Sequence, residues 1–585
     1  MFIIPHPKKI ELREEKIKAS SFFVNADCDE IYRFTNDFCD DESGVKISFE
    51  KAADLKEEHY KIDISQDGIF VLYGDIEGAF RAFTTLKQVI SQAENEEISC
   101  LYIEDYPSLK TRGYMLDISR GKIPKLQQLK KLVDILSDLK YNQFQLYMDS
   151  FVYEYKNFPE YTKDTEPLTR CEIIELNQYC QERFIKLVPN QNGFGHMAAW
   201  TFKEELSHLA IHCNGKPSST LNPLLDGSIE LLGKIYDGFL DEFSADIVNI
   251  GMDEPFELGY GETKEACEKY GIGTVYTEYL NKVCRLVSEK YHKTPMFWDD
   301  IIFKHEEQIE NVQKDAIFMQ WGYETEHHFD RNCRKLSEKG LRFYVCPGTS
   351  MWASLTGRTN NAIVNMSIAA ECGSYYGAEG FLLTEWGDAG HPQFFSTTLF
   401  PLTYGAAVSW DSGDHDVQDE YPMRGKRISD CKKYVDKYLY KCSDEKSLCD
   451  IVYRMGNYYL LEDCKQFNQT EIEYYICYPY KLTDEKIDGF KRVREYMISL
   501  RNELNSVEAD EISIREIKVN CDMVILLSSK FAGVDMDYQN EFNALKKEFE
   551  ELWLLRNHKA GIEICMKRIE NVLRLDLNEE GKEIF

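Results

Sequence analysis

Two adjacent carboxylates, Asp253 and Glu254, close the run Asn249-Ile250-Gly251-Met252-Asp253-Glu254. Successive residues leaving a strand point to different sides, so the pair can serve two separate roles around one ligand. Acids placed directly after an apolar strand are candidates for proton transfer; a solvated acidic turn is the competing interpretation. Similar groups recur after other apolar stretches. Asp149 ends one, and Asn190-Gln191-Asn192-Gly193-Phe194-Gly195-His196 follows another. Trp298-Asp299-Asp300, Gln320-Trp321 and Trp386-Gly387-Asp388 end three more, while Arg112 precedes the first. Trp298, Trp321, Trp352 and Trp386 are four of the seven tryptophans. Indole faces stack on the apolar faces of sugar rings, although a tryptophan more often fills core. His196 and His391 lack the spacing of a zinc motif, so no metal is expected. No Walker loop, strand-following GxGxxG or GxSxG occurs, which disfavours nucleotide enzymes and serine hydrolases.

These groups need a scaffold that brings many strand ends together. Eight strand candidates run through the middle of the chain: Gly113–Ser119, Asn142–Met148, Phe184–Pro189, Asp246–Met252, Pro295–Trp298, Ala316–Gln320, Leu341–Cys346 and Gly380–Trp386. Most gaps between them hold a helix, with Lys125–Leu139 and Thr274–Tyr291 the clearest amphipathic examples. Eight such alternations predict an α/β fold, a (β/α)8 TIM barrel over residues 105–420, whose chemistry gathers at the C-terminal ends of the strands. Residues 1–104 read as a small α+β domain. Tyr60–Ile64 and Ile69–Tyr73 flank an Asp67-Gly68 turn, and a helix is expected over Gly78–Ile90. Residues 421–585 read as a helical C-terminal region, with long helices over Gly489–Glu508 and Asn540–Leu575, supporting the barrel.

The 585 residues carry a net charge of −31, which argues against nucleic acid or an anionic membrane surface as partner. No 18-residue apolar run predicts a spanning helix. The first residues lack the apolar stretch of a secretion signal. Eighteen cysteines without paired spacing fit reduced thiols better than a disulfide framework.

Taken in order, Tyr60–Ile90, Asp105-Tyr106-Pro107, the run Arg112 to Arg120, Gly195-His196, Gly251–Glu254 and Trp386-Gly387-Asp388 resemble glycoside hydrolase family 20, the β-N-acetylhexosaminidases. Cys346–Trp352 and Thr384–His391 look most like its intracellular, signal-less branch, the one that includes hexosaminidase D, which implies a cytoplasmic protein. The resemblance implies exo-acting removal of terminal β-linked GlcNAc or GalNAc, without metal or organic cofactor. It implies Glu254 as general acid and base and Asp253 as the carboxylate orienting the substrate's 2-acetamido group. Arg112 would bind the sugar's O3 and O4, Asp149 and His196 would line the pocket, and Trp298, Trp321 and Trp386 would wall it. Asp388 would hold the O4/O6 edge. Three departures stand out. Gly251-Met252 replaces a Gly-Gly pair, and Leu146-Tyr147-Met148-Asp149 matches its motif only through the acid. The tyrosine that supports the acetamido carbonyl has no counterpart after strand seven, leaving Tyr323 as its replacement. Two alternatives stay open: a retaining glycosidase using Glu254 and Asp388 as separated carboxylates, and a sugar-binding barrel without catalysis. The oligomeric state is not legible.

Overall fold

The computed structural model describes residues 1–38, 43–163, 165–413, 425–443, 446–462 and 466–575. In Tyr60–Ser65 every second side chain is buried, and the strand pairs antiparallel with Gly68–Tyr73 across a tight turn at Gln66-Asp67. Gly68 takes φ +124°, a conformation that costs a glycine little. Four more strands, Lys9–Lys18, Phe22–Ala26, Val45–Lys51 and Glu97–Asp105, complete a six-stranded mixed sheet. Its last strand runs one residue past the boundary expected at 104. The helix Ile76–Ile90, capped by the Asp75 carboxylate accepting from the Gly78 amide at 2.8 Å, lays Ala79, Ala82, Phe83 and Leu86 onto that sheet.

Eight parallel strands then close a barrel in chain order: Thr111–Asp117, Gln143–Met148, Lys186–Gln191, Ile247–Asn249, Thr294–Trp298, Ile317–Trp321, Phe343–Cys346 and Gly380–Glu385. Each overlaps one of the eight expected stretches, because parallel strands covered on both faces are written as continuous apolar runs. The last strand pairs with the first, Phe381 opposite Arg112 and Glu385 opposite Leu116, which closes the ring. Met115, Val188, Met296, Met319 and Leu382 fill its interior below the mouth. A short hairpin, Ala210–Cys213 with Lys216–Leu221, is inserted between the third and fourth strands beside the mouth.

The C-terminal region is helical, as expected. Its segments Glu471–Cys477, Asp484–Glu503, Glu511–Phe531, Tyr538–Arg556 and Ile562–Arg574 share one apolar core with the barrel. The expected boundary at 420/421 lies outside the described residues. The expected single helix over Asn540–Leu575 is two, broken at Asn557–Gly561. There the chain grips the loop after the first barrel strand: the Lys125 amide donates to the Arg556 carbonyl at 2.9 Å and the His558 amide to the Ile123 carbonyl at 2.9 Å. Gly561, at φ +88°, lies so close that a Cβ there would meet the Gly121 oxygen at 2.2 Å. Among the described residues no helix is long and apolar enough to cross a membrane.

Candidate active site

The chain leaving the fourth strand turns through an unusual path. Gly251 has φ +69°, Met252 +79° and Glu254 +47°. Residues with a Cβ rarely adopt such values, and clusters of them mark sites where the surroundings enforce the geometry. Here the enforcement is visible. The Trp298 amide donates to the Gly251 carbonyl at 2.9 Å, the Tyr276 hydroxyl to the Met252 carbonyl at 3.0 Å, and the Phe256 amide to the Glu254 carbonyl at 2.7 Å. Met252, where a second glycine was the norm of the resemblance, takes this φ with its side chain fully buried in the core. Gly195 of the third-strand loop lies directly on the pair; a Cβ there would meet the Asp253 oxygen at 2.2 Å and the Glu254 carbonyl carbon at 2.8 Å.

Asp253 is buried, and its Oδ1 accepts from Asn192 Nδ2 at 2.7 Å. His196 Nε2 lies 3.2 Å from Asp253 Oδ2 and 3.5 Å from Glu254 Oε2. Burial opposes charge on both groups, but the pair outweighs it. Asp253 is held below the ordinary aspartate range by His196 and Asn192, and His196 is lifted to about 10 by Asp253 and Glu254. The arrangement is therefore a fixed carboxylate, an imidazolium beside it and a neighbouring glutamate. The ligand atoms of His196, Asp253 and Glu254 lie within 4.8 Å of one another, close enough to share a cation. Asp300, after the fifth strand, faces the same cluster; burial, then Asp253 and Glu254, push it up to about 7 against the pull of Lys304.

The opposite wall comes from the first, second and eighth strands. Arg120 pairs with Asp149 at 2.7 Å and with Asp117 at 3.4 Å, its guanidinium 5.1 Å from the Tyr147 ring centre. Asp117 also accepts from the Gly387 amide at 2.9 Å, which ties the loop carrying Asp388 to the first strand. Asp388 is the most open of the group and takes φ +43°. Its carboxyl, set down among the loops of the mouth, is raised to about 6 by partial burial first, with Arg120 opposing and Asp117 and Glu254 adding. Aromatic rings line the floor between the walls. Trp386 stands edge-on to Tyr147 at 4.8 Å and lies 5.7 Å from Trp298; its indole N–H donates to the Tyr323 hydroxyl at 2.7 Å. Tyr323 lies 5.1 Å from Trp321 and 5.0 Å from Trp352. Asp149, His196, Asp253, Glu254, Trp298, Trp321, Tyr323, Trp386 and Asp388 thus all sit at or just past the C-terminal strand ends.

Arg112 does not join them, and its expected contact with the sugar is withdrawn. It is the second residue of the first strand, at the opposite end of the barrel, and is 1 % exposed. Its guanidinium grips the Glu58 carboxylate of the sheet domain and the carbonyls of Leu109, Lys110 and Lys140 at 2.9–3.0 Å. The arginine in the mouth is Arg120, eight residues on. Sequence reasoning also missed Asn192, Tyr147, Asp117 and Asp300 as neighbours of the pair. Arg120 and Asp117 stood in the run already singled out, and their position after an apolar stretch was the available signal. Tyr147 carried none, because alternation within a fully buried strand looks the same on both faces.

Fold and mouth together define a (β/α)8 barrel with a glycosidase-type carboxylate pair at the end of its fourth strand. The model of the glycosyl hydrolase family 20 catalytic domain matches residues 110–376, and that of the family's domain 2 matches residues 32–106. The chain belongs to glycosyl hydrolase family 20. It is similar to the beta-hexosaminidase subunit beta of Entamoeba histolytica, 24% identical over 45% of this chain and 51% of that one. It is likewise similar to the beta-hexosaminidase subunit alpha of Bos taurus, 24% identical over 49% and 57%. The matched region spans about half the length of these relatives. Its fold is shared with the chitobiase of Flavobacterium johnsoniae, at 15% identity and TM-score 0.62, covering 98% of this chain and 99% of that one. It is shared also with the beta-N-acetylhexosaminidase of Bacteroides fragilis, at 20% identity and TM-score 0.59, covering 72% and 93%.

Proposed function

We propose that this chain is an exo-acting β-N-acetylhexosaminidase that releases terminal β-linked GlcNAc or GalNAc with retention, the substrate's own acetamide serving as nucleophile. The observation that carries the reading is the state of Asp253. It is ionised, buried and clamped by Asn192 and His196, so it cannot swing to attack an anomeric carbon, but it can accept an N–H and offset nearby positive charge. Glu254 acts as the general acid and gives a proton to the leaving oxygen. The acetamide oxygen attacks the anomeric carbon as that bond breaks, forming an oxazolinium ion whose N–H faces Asp253. Water then opens the ring at the anomeric carbon, Glu254 taking its proton. Arg120 and Asp388 hold the sugar's hydroxyl edge, Trp298, Trp321 and Trp386 wall the ring, and Tyr323 supports the acetamido carbonyl.

The test is release of aryl alcohol from paired β-GlcNAc and β-GalNAc glycosides, with a thiazoline analogue of the oxazolinium as inhibitor and with EDTA. Hydrolysis blocked by the thiazoline and indifferent to EDTA is expected. Equal cleavage of plain β-glucosides would favour the two-carboxylate mechanism, and no cleavage of any glycoside would favour a binding barrel. A cytoplasmic setting goes with this reading, since the eighteen cysteines lack the paired spacing of a disulfide framework. Recovery of the protein with intact disulfides from a secreted fraction would speak against it.

A further inference from the structure

The helical region after the barrel reaches the mouth at two points. Asn468 accepts from the Trp352 indole at 3.2 Å through its side chain, and its amide donates to the Glu324 carboxylate at 2.7 Å, bracing the loops behind Tyr323. The second contact bears on Asp388. In the last helix, Ile562–Arg574, the Arg568 guanidinium donates to the carbonyl of Ala389, the residue after Asp388. The same guanidinium lies 3.3 Å from the Glu473 carboxylate and 3.0 Å from Cys477 Sγ, both on the helix Glu471–Cys477. One residue further along the loop, Gly390 at φ +98° packs against Cys565, its virtual Cβ 3.4 Å from the sulfur. From the other side, the Gly387 amide is held by Asp117.

Asp388 thus sits at the apex of a loop pinned on one flank by the barrel and on the other by the last helix. Its own backbone is in the left-handed region, φ +43°, where a residue with a Cβ stays only if neighbours hold it. We infer that Arg568 is a positioning residue for sugar selection: by fixing the Ala389 carbonyl it sets where the Asp388 carboxylate meets the hydroxyl edge of the terminal sugar. The inference rests on the hexosaminidase reading, since it needs Asp388 to face a sugar. It gives the C-terminal region a share in specificity. Arg568 lies beyond the span 110–376 matched to the catalytic domain, as do Asp388 and the eighth strand.

The experiment uses the full chain with Arg568→Ala and Arg568→Lys, each assayed on aryl β-GlcNAc and β-GalNAc, which differ only at C4. Arg568→Ala is expected to raise KM more than it lowers kcat. It should also change the GlcNAc-to-GalNAc ratio of kcat/KM by about tenfold, the weight of one hydrogen bond to a charged group. Arg568→Lys should recover part of both, because it keeps a donor and a charge near the carbonyl. In an Asp388→Asn background, Arg568→Ala should change the ratio by less than about twofold, as expected when two residues act through one contact. A lowered melting temperature with the ratio and KM unmoved would overturn the inference and leave a merely structural arginine. So would a full tenfold change on top of Asp388→Asn. If the unaltered chain cleaves neither glycoside, the hexosaminidase reading falls and this inference with it; cleavage of both with an unmoved ratio in Arg568→Ala removes only the inference.

Discussion

Asp253 and Glu254 are neighbours in sequence but unlike in surroundings, and substitutions should separate them. Glu254→Gln keeps shape and removes the transferable proton. Its effect on kcat/KM should be severe for glycosides with poor leaving groups and mild for activated aryl glycosides, whose leaving group departs unassisted. On the proposed mechanism Asp253→Asn removes the charge that would face the oxazolinium, so even activated substrates should slow by about 10²–10³, the scale of one lost preorganised contact. A leaving-group series measured on both variants checks this: a steep dependence is expected for Glu254→Gln and a flat, uniform loss for Asp253→Asn. At this scale the sequence was informative wherever the strand-end rule was applied strictly. Asp149, His196, Asp253, Glu254 and Asp388 follow apolar stretches and lie at the mouth. Arg112 precedes its stretch, so the same rule placed it at the far end; Arg120, after the stretch, satisfied it.

The elements that carry these residues were largely legible because their physics is local. Buried parallel strands are apolar throughout, and the hairpin expected around Asp67-Gly68 forms with its turn one residue earlier, at Gln66-Asp67, Gly68 opening the second strand. What the sequence hid are contacts set by distant chain. Within Asn540–Leu575 only Asn557 and Gly561 hint at the break at Asn557–Gly561, and its cause lies elsewhere, in the pairing of that stretch with the loop after the first barrel strand. Gly195 is similar: in sequence it is one more loop glycine, and only the fold shows that it must admit the backbone of Asp253 and Glu254. Gly195→Ala places a methyl 2.2 Å from a backbone oxygen, so the carboxylate pair must shift. A displacement near an ångström costs about 10²-fold in kcat/KM. Kinetics alongside circular dichroism should find that loss with the folded spectrum retained; an alanine variant of wild-type activity would mean the pair does not depend on this contact.

At the scale of the molecule the sheet domain and the barrel meet through buried charge. Glu58, 5% exposed, receives Arg112 and Arg81. Lys140 and Asp105, with fully buried side chains 2.9 Å apart, stand nearby, with the Trp410 indole donating to Asp105 at 2.8 Å. Removing one member of a buried pair strands its partner, which typically costs about 3–5 kcal/mol. Glu58→Gln should therefore lower stability on that order while the site chemistry survives in whatever remains folded. Burial alone would raise the Glu58 pKa, but Arg112 and Arg81 bring it below 4.5. Its stabilising contribution is thus fully present above pH 4.5 and is lost as pH falls through its lower folded value. The gap in denaturant midpoint between wild type and Glu58→Gln should narrow on acidification through that range; a gap that widened would contradict the assignment. The joint also bears on how such chains can be recombined. The two family models abut at residues 106 and 110, where a chimera would naturally be cut. That seam severs Glu58 from Arg112 and Asp105 from Lys140, so an exchanged half would arrive carrying unneutralised ions into an apolar interface. Sheet and barrel must be inherited and grafted together, as one indivisible cassette.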